Sequence, residues 1–78
     1  MSSEEMETFA KECATKAMER FSRYNNRSRD IRVKMDQRFG PNWSCVVGDY
    51  KNMGWDVRGM DKFFRFDIDG VVFLVFKA

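Results

Sequence analysis

Cys13 and Cys45 are the side chains of this 78-residue chain best suited to nucleophilic chemistry, and a thiol needs a base or a positive neighbour to ionise near neutral pH. The chain has no histidine, so the commonest general base, the commonest zinc ligand and the physiological pH switch are missing together. Most hydrolase and metalloenzyme mechanisms are thereby set aside. Cys13 falls among apolar residues at helical spacing, and Cys45 alternates with Trp43 and Val47, so both are expected to be buried thiols. Neither has a second thiol at a Cys-x-x-Cys spacing, and no signal-like apolar segment opens the chain. The expectation is a reducing, intracellular compartment.

Asp67, Asp69 and Gly70 begin like a calcium loop, but the other oxygen ligands and the closing Glu are lacking, and an exposed hairpin turn accounts for them. The glycines at 40, 48, 54, 59 and 70 form neither a Walker loop nor a dinucleotide fingerprint. No catalytic residue, metal ligand or cofactor is assigned. The longest apolar run, from Val71 to Phe76, is strand-sized, far below the roughly twenty residues that cross a bilayer, so no membrane partner is expected.

The net charge of +2 is unevenly spread. Residues 1–19 carry five Glu against Lys11 and Lys16, whereas residues 20–38 carry Arg20, Arg23, Arg27, Arg29, Arg32, Lys34 and Arg38 against Asp30 and Asp36. That basic block fits either of two readings: a surface laid along phosphates, with Trp43, Trp55, Tyr24 or Tyr50 stacking on bases, or solvated helix surface facing the acidic first segment. No sequence typical of a known single-strand reader accompanies it, and most of the Phe fall at core spacing, so nucleic acid is not the expected partner.

Two helices must come first in the fold. Ser2-x-x-Glu5 fits a capping box, and Met6, Phe9, Ala10, Cys13, Ala14, Ala17, Met18 and Phe21 follow at three-four spacing. Residues 22–28, with Asn25 and Asn26, read as a connecting turn. Ile31, Met35 and Phe39 then mark a second helix stopped by Gly40-Pro41. Beyond Pro41 the period changes from 3.6 to 2. Four strands are predicted: Trp43, Cys45 and Val47 in the first; Met53, Trp55 and Val57 in the second; Phe64, Phe66 and Ile68 in the third; and the run from Val71 to Phe76 in the fourth. Asp69-Gly70 suits a two-residue hairpin between the last two. Helices before strands indicate an α+β domain spanning residues 1–78, with no internal repeat. The segment 52–58, flanked by loops, fits an edge strand open to pairing with another chain and equally an inner strand of a meander.

Several segments together resemble the dynein light chain family of the eight-kilodalton class. They are Glu12-Cys-Ala-Thr-Lys-Ala17, Phe39-Gly-Pro-Asn-Trp-Ser-Cys-Val-Val-Gly48, Asn52-Met-Gly54 with Val57, and Val71-Val-Phe-Leu-Val-Phe-Lys77. The resemblance runs from Ser3 to Lys77, and the Pro-x-Trp-x-Cys segment joined to the apolar-Phe-Lys ending is its most specific part.

This resemblance implies two N-terminal helices followed by a four-stranded antiparallel sheet, completed by strand exchange in a dimer. The exchanged strand would comprise Asn52, Met53, Gly54, Trp55, Asp56, Val57 and Arg58. A partner's disordered segment, typically Thr-Gln-Thr-like, would add itself to that strand in a groove walled by the second helix of the opposite protomer. The groove wall would include Tyr24, Asn25, Phe63, Arg65 and Asp67. The protein would be no enzyme and would carry no cofactor. Its partners would be dynein intermediate chains, other dynein complex subunits, and itself or a paralogous light chain.

The chain also departs from the family pattern. Tyr24 and Asn25 stand where the family usually has an acidic-basic pair, and Arg65 and Asp67 replace aromatic groove positions of which Phe63 alone keeps its ring. Ser44 and Gly59 stand where histidines are common. The stretch after Gly48 is about two residues longer than the family pattern and that between Arg58 and Phe63 one shorter. The altered groove points to a member of the ciliary or flagellar axoneme within the cytoplasm and cytoskeleton. A small basic nucleic-acid-binding or adaptor module using residues 20–38 is the alternative.

Overall fold

The computed structural model describes residues 3–49 and 61–77. Helix α1 (Ser3–Arg20) buries Ala10, Cys13, Ala14 and Ala17, the stripe predicted from the three-four spacing. These are small side chains, which lets a second helix approach closely. Glu4 and Glu5 in the first turn and Arg20 in the last complement the helix dipole. The expected capping Ser2 lies outside the described residues.

Helix α2 (Tyr24–Phe39) starts earlier than expected, because residues 24–28 belong to it and not to the connecting turn. Only residues 21–23 link the helices. The backbone N–H of Arg27 donates to the Arg23 carbonyl at 3.1 Å, and the Ser28 hydroxyl donates to the Asn25 carbonyl at 3.0 Å. Arg27 also reaches back with Nε to the Phe21 carbonyl at 2.7 Å, tying the new helix to the end of the old one. This first turn is largely solvent-facing, so no apolar stripe marks it in the sequence. Further along, Ile31 and Met35 are buried as predicted.

Gly40 ends α2 at φ +84°, donating its N–H to the Asp36 carbonyl at 3.0 Å. Three antiparallel strands follow among the described residues: β1 (Trp43–Asp49), β2 (Lys62–Ile68) and β3 (Val71–Lys77). The predicted strand at 52–58 lies outside the described residues. The sheet order is β1-β3-β2, so the last strand in sequence is the middle one in space. The expected hairpin joins β2 to β3, with Asp69 at φ +50° and Gly70 at φ +78°, the two positive values that a type I′ turn requires.

Helix α1 packs on α2 and β2, and α2 packs on β1, so the helices cover one face of the sheet. On that face Phe64 and Phe66 stand beside Val75 and Phe73 and close the core with Trp43, Ile31 and Met35. Trp43 stacks on Phe64 at 6.3 Å between ring centroids and also meets Phe39. The middle strand is buried on both sides, since Phe73 and Val75 are 0 % exposed and Val72 and Leu74 only 1 % and 2 %.

Candidate functional site

The expected pairing-strand residues Asn52, Met53, Gly54, Trp55, Asp56, Val57 and Arg58 lie outside the described residues. Of the expected groove wall, Tyr24 and Asn25 occupy the first turn of α2 and are exposed. Phe63, Arg65 and Asp67 alternate along β2 on the face turned away from the helices. Because β3 separates β2 from β1, the two groups lie at opposite sides of the sheet within one chain, with β1 and β2 about 10 Å apart at ordinary strand spacing.

The geometry around each group differs. Phe63 meets Phe76 of β3 at 6.4 Å between centroids. Arg65 forks onto Asp67, with Nε to Oδ1 at 3.1 Å and Nη2 to Oδ2 at 3.2 Å. The pair is well exposed, so it orients the two side chains more than it stabilises the fold. Arg65, Phe66 and Asp67 are consecutive and alternate in direction, yet all three line one cavity of about 910 Å³ with Lys11, Thr15 and Glu19 of α1. A cavity touched by both faces of a strand must run along that strand's edge.

Asn25 borders a smaller cleft, of about 250 Å³, between α2 and β1. Its other lining residues, among those described, are Ser28, Arg29, Arg32 and Cys45. Sequence reasoning placed the arginines in a basic block without singling them out. Their three-residue separation was the available signal, since it puts both on one helix face. The structure sorts that block. Arg27 lies over the Tyr24 ring at 5.8 Å, Lys34 pairs with Asp30 at 3.0 Å, and Arg38 lies over the Phe9 ring at 4.5 Å. Arg29 and Arg32 make no hydrogen bond or ion pair with a described residue. Two of the five basic side chains of α2 therefore remain available, and both line the cleft.

Neither thiol is set up as a nucleophile. Burial pushes the Cys13 thiol up, with Lys34 and Lys16 opposing the shift and Asp30 and Glu12 adding to it. Cys45 is half-buried, more open than the core position expected of it, yet burial still pushes its thiol from 9.0 up to about 12. Both are free thiols and stay protonated at neutral pH. Among the described residues no group of three or more Cys, Asp or Glu side chains could hold a metal ion, and no helix is long and apolar enough to cross a membrane.

The arrangement is that of a small α+β module with two helices on one sheet face, a cationic cleft beside one outer strand and a long cavity beside the other. A family model, dynein light chain type 1, matches residues 1–78. The chain belongs to the dynein light chain family, a group of generally non-enzymatic structural and adaptor proteins of the motor complex.

Proposed function

We propose that this light chain works as a strand-exchanged dimer, either with itself or with a paralogue, that clamps disordered segments of dynein intermediate chains side by side. Residues 1–78 act as one unit, residues 52–58 cross to complete the partner's sheet, and the bound segment adds itself to that strand. The observation that carries this reading is the position of β1: it is an outer strand of the described sheet, with the first turn of α2 beside it. A strand laid along β1 extends the sheet on the side where Tyr24 and Asn25 stand. The apolar residues on the sheet face away from the helices offer further support, since Val46 is 45 % exposed there beside the buried Leu74, with the half-buried Phe76 and Phe63 on the same face.

Added strands gain about 1 kcal/mol net per main-chain hydrogen bond, with specificity from side-chain pockets. Two grooves in one dimer then add avidity for a dimeric partner. The setting proposed is the cytoplasm and cytoskeleton, in the axoneme of a cilium or flagellum, with other dynein subunits as neighbours and no cofactor.

An amide-resolved NMR titration with intermediate-chain peptides, one bearing Thr-Gln-Thr, tests the reading. Shifts concentrated at residues 52–58 and 24–32 are expected. Asp56→Pro, which removes a main-chain donor, should lower the molecular mass in sedimentation to that of a monomer and abolish peptide binding. An unchanged mass with binding retained would sink the strand assignment.

A further inference from the structure

The cleft between α2 and β1 has a chemical bias that strand addition does not require. Among the described residues its lining comprises two guanidinium groups, Arg29 and Arg32, with Asn25, Ser28 and Cys45, and no carboxylate. The nearby acid of the same helix, Asp30, is engaged by Lys34 at 3.0 Å and does not neutralise the arginines. Cys45 adds no charge, because its thiol is pushed up to about 12. Ser28 spends its proton on the Asn25 carbonyl at 3.0 Å. Arg29 and Arg32 are three residues apart, so their Cβ atoms lie about 5–6 Å apart on one helix face, close enough for both to fork onto a single carboxylate.

We propose that the partner segment docked beside α2 is acidic, and that one of its Asp or Glu side chains enters this cleft and is held by Arg29 and Arg32 together. The proposal rests on the groove reading above and specifies the charge of its occupant. Charge complementarity favours an anionic segment, and the fixed fork of arginine favours a planar carboxylate over a diffuse negative field. Tyr24 and Asn25 stand beside the cleft without charge of their own, which leaves the two arginines as its electrostatic signature.

The test uses the full chain and three short fluorescent peptides with a common Thr-Gln-Thr core and flanks of Glu, Ala or Lys. Anisotropy titrations at physiological salt are expected to show the Glu peptide binding about tenfold tighter than the Lys peptide, as charge-assisted paired hydrogen bonds imply. Replacing both arginines (Arg29→Gln with Arg32→Gln) should erase that difference and leave the melting temperature unaffected. Arg38→Gln, which removes the same charge from a residue of α2 that lies over the Phe9 ring and away from the cleft, should preserve the preference.

Equal affinities for the three peptides, with amide shifts at 24–32 in each titration, would overturn the acidic preference while leaving the groove standing. An absence of shifts with every peptide would overturn the groove and the preference together. An equal loss in Arg38→Gln would reduce the effect to net charge and overturn the proposal. Tighter binding of a single-stranded DNA oligomer than of the Glu peptide, lost in the double variant, would assign the cleft to nucleic acid instead.

Discussion

The Trp43 main-chain N–H donates to the Oδ1 atom of Asp36 at 2.8 Å, joining the last turn of α2 to the first residue of β1. The Asp36 carbonyl at the same time accepts the N–H of Gly40. One residue thus closes its helix with its main chain and opens the sheet with its side chain. Trp43 is the hub of the aromatic contacts with Phe39 and Phe64, so this bond sets where α2 and β1 meet. A partly buried hydrogen bond to a carboxylate is worth about 2 kcal/mol, and Asp36→Ala should lose about that much in urea unfolding. Asp36→Asn, which keeps an acceptor at that place, should lose less.

Phe73 lies at the centre of the middle strand and is fully buried. Truncation there leaves a cavity that β1 and β2 cannot collapse into without breaking two ladders. Phe73→Ala should cost about 3–5 kcal/mol. Against a total of about 5–15 kcal/mol for a small domain, that should leave the chain partly unfolded at physiological temperature, as read by circular dichroism. Phe73→Leu should be milder.

Gly70 sits at φ +78°, and a Cβ built there would meet nothing within 4 Å. The cost of Gly70→Ala is therefore conformational and not steric packing, about 1–2 kcal/mol for an L-residue in the left-handed region. Asp69→Asn should be nearly neutral, because Asn tolerates the same region. Thermal melts of both variants distinguish a strained turn from a lost contact.

The Cys45 thiol has its pKa raised by burial from 9.0 to about 12. A folded-state pKa above the unfolded one means that the native state holds the proton longer, so this contribution to stability is complete below pH 9 and is lost as pH rises toward 12. The unfolding midpoint should fall over that interval, and Cys45→Ala should flatten the fall. Alkylation of the native protein at about pH 8 should leave Cys45 unmodified, since little thiolate is present.

The chain has no histidine, with Ser44 and Gly59 at positions where the family commonly carries one. The proposed dimer accordingly lacks a side chain that charges between about pH 5 and 8. Sedimentation across that interval should give one unchanged molecular mass. Dissociation centred near pH 6 would show that another group controls the interface.

Much of the molecule could be read from the order of its residues. The stripe from Met6 to Met18 specifies a helix because three-four spacing needs no information beyond the helix's own geometry. Asp69-Gly70 specifies a hairpin because few residue pairs accept two positive φ values in succession. The first turn of α2 was hidden: Tyr24, Asn25 and Asn26 have no periodic apolar signal, and what holds them helical is Arg27 reaching back to Phe21. The candidate cleft was hidden for a related reason. The basic residues looked alike in sequence, and Arg29 and Arg32 became distinct from the others of α2 only once aromatic rings and Asp30 had engaged Arg27, Arg38 and Lys34.

Local periodicity and turn chemistry in the sequence thus determined the helices apart from the first turn of α2, the hairpin and the inward faces of the outer strands, because each depends on residues a few positions apart. Tertiary structure alone decided that β3 lies between β1 and β2, and so which residues share a site. Strand order depends on contacts between segments far apart in the chain, where the burial gained must exceed the entropy of closing the loop, and no short-range pattern encodes that balance. It is this order that puts Arg65 and Asp67 beside α1 and leaves Cys45 facing the arginines of α2.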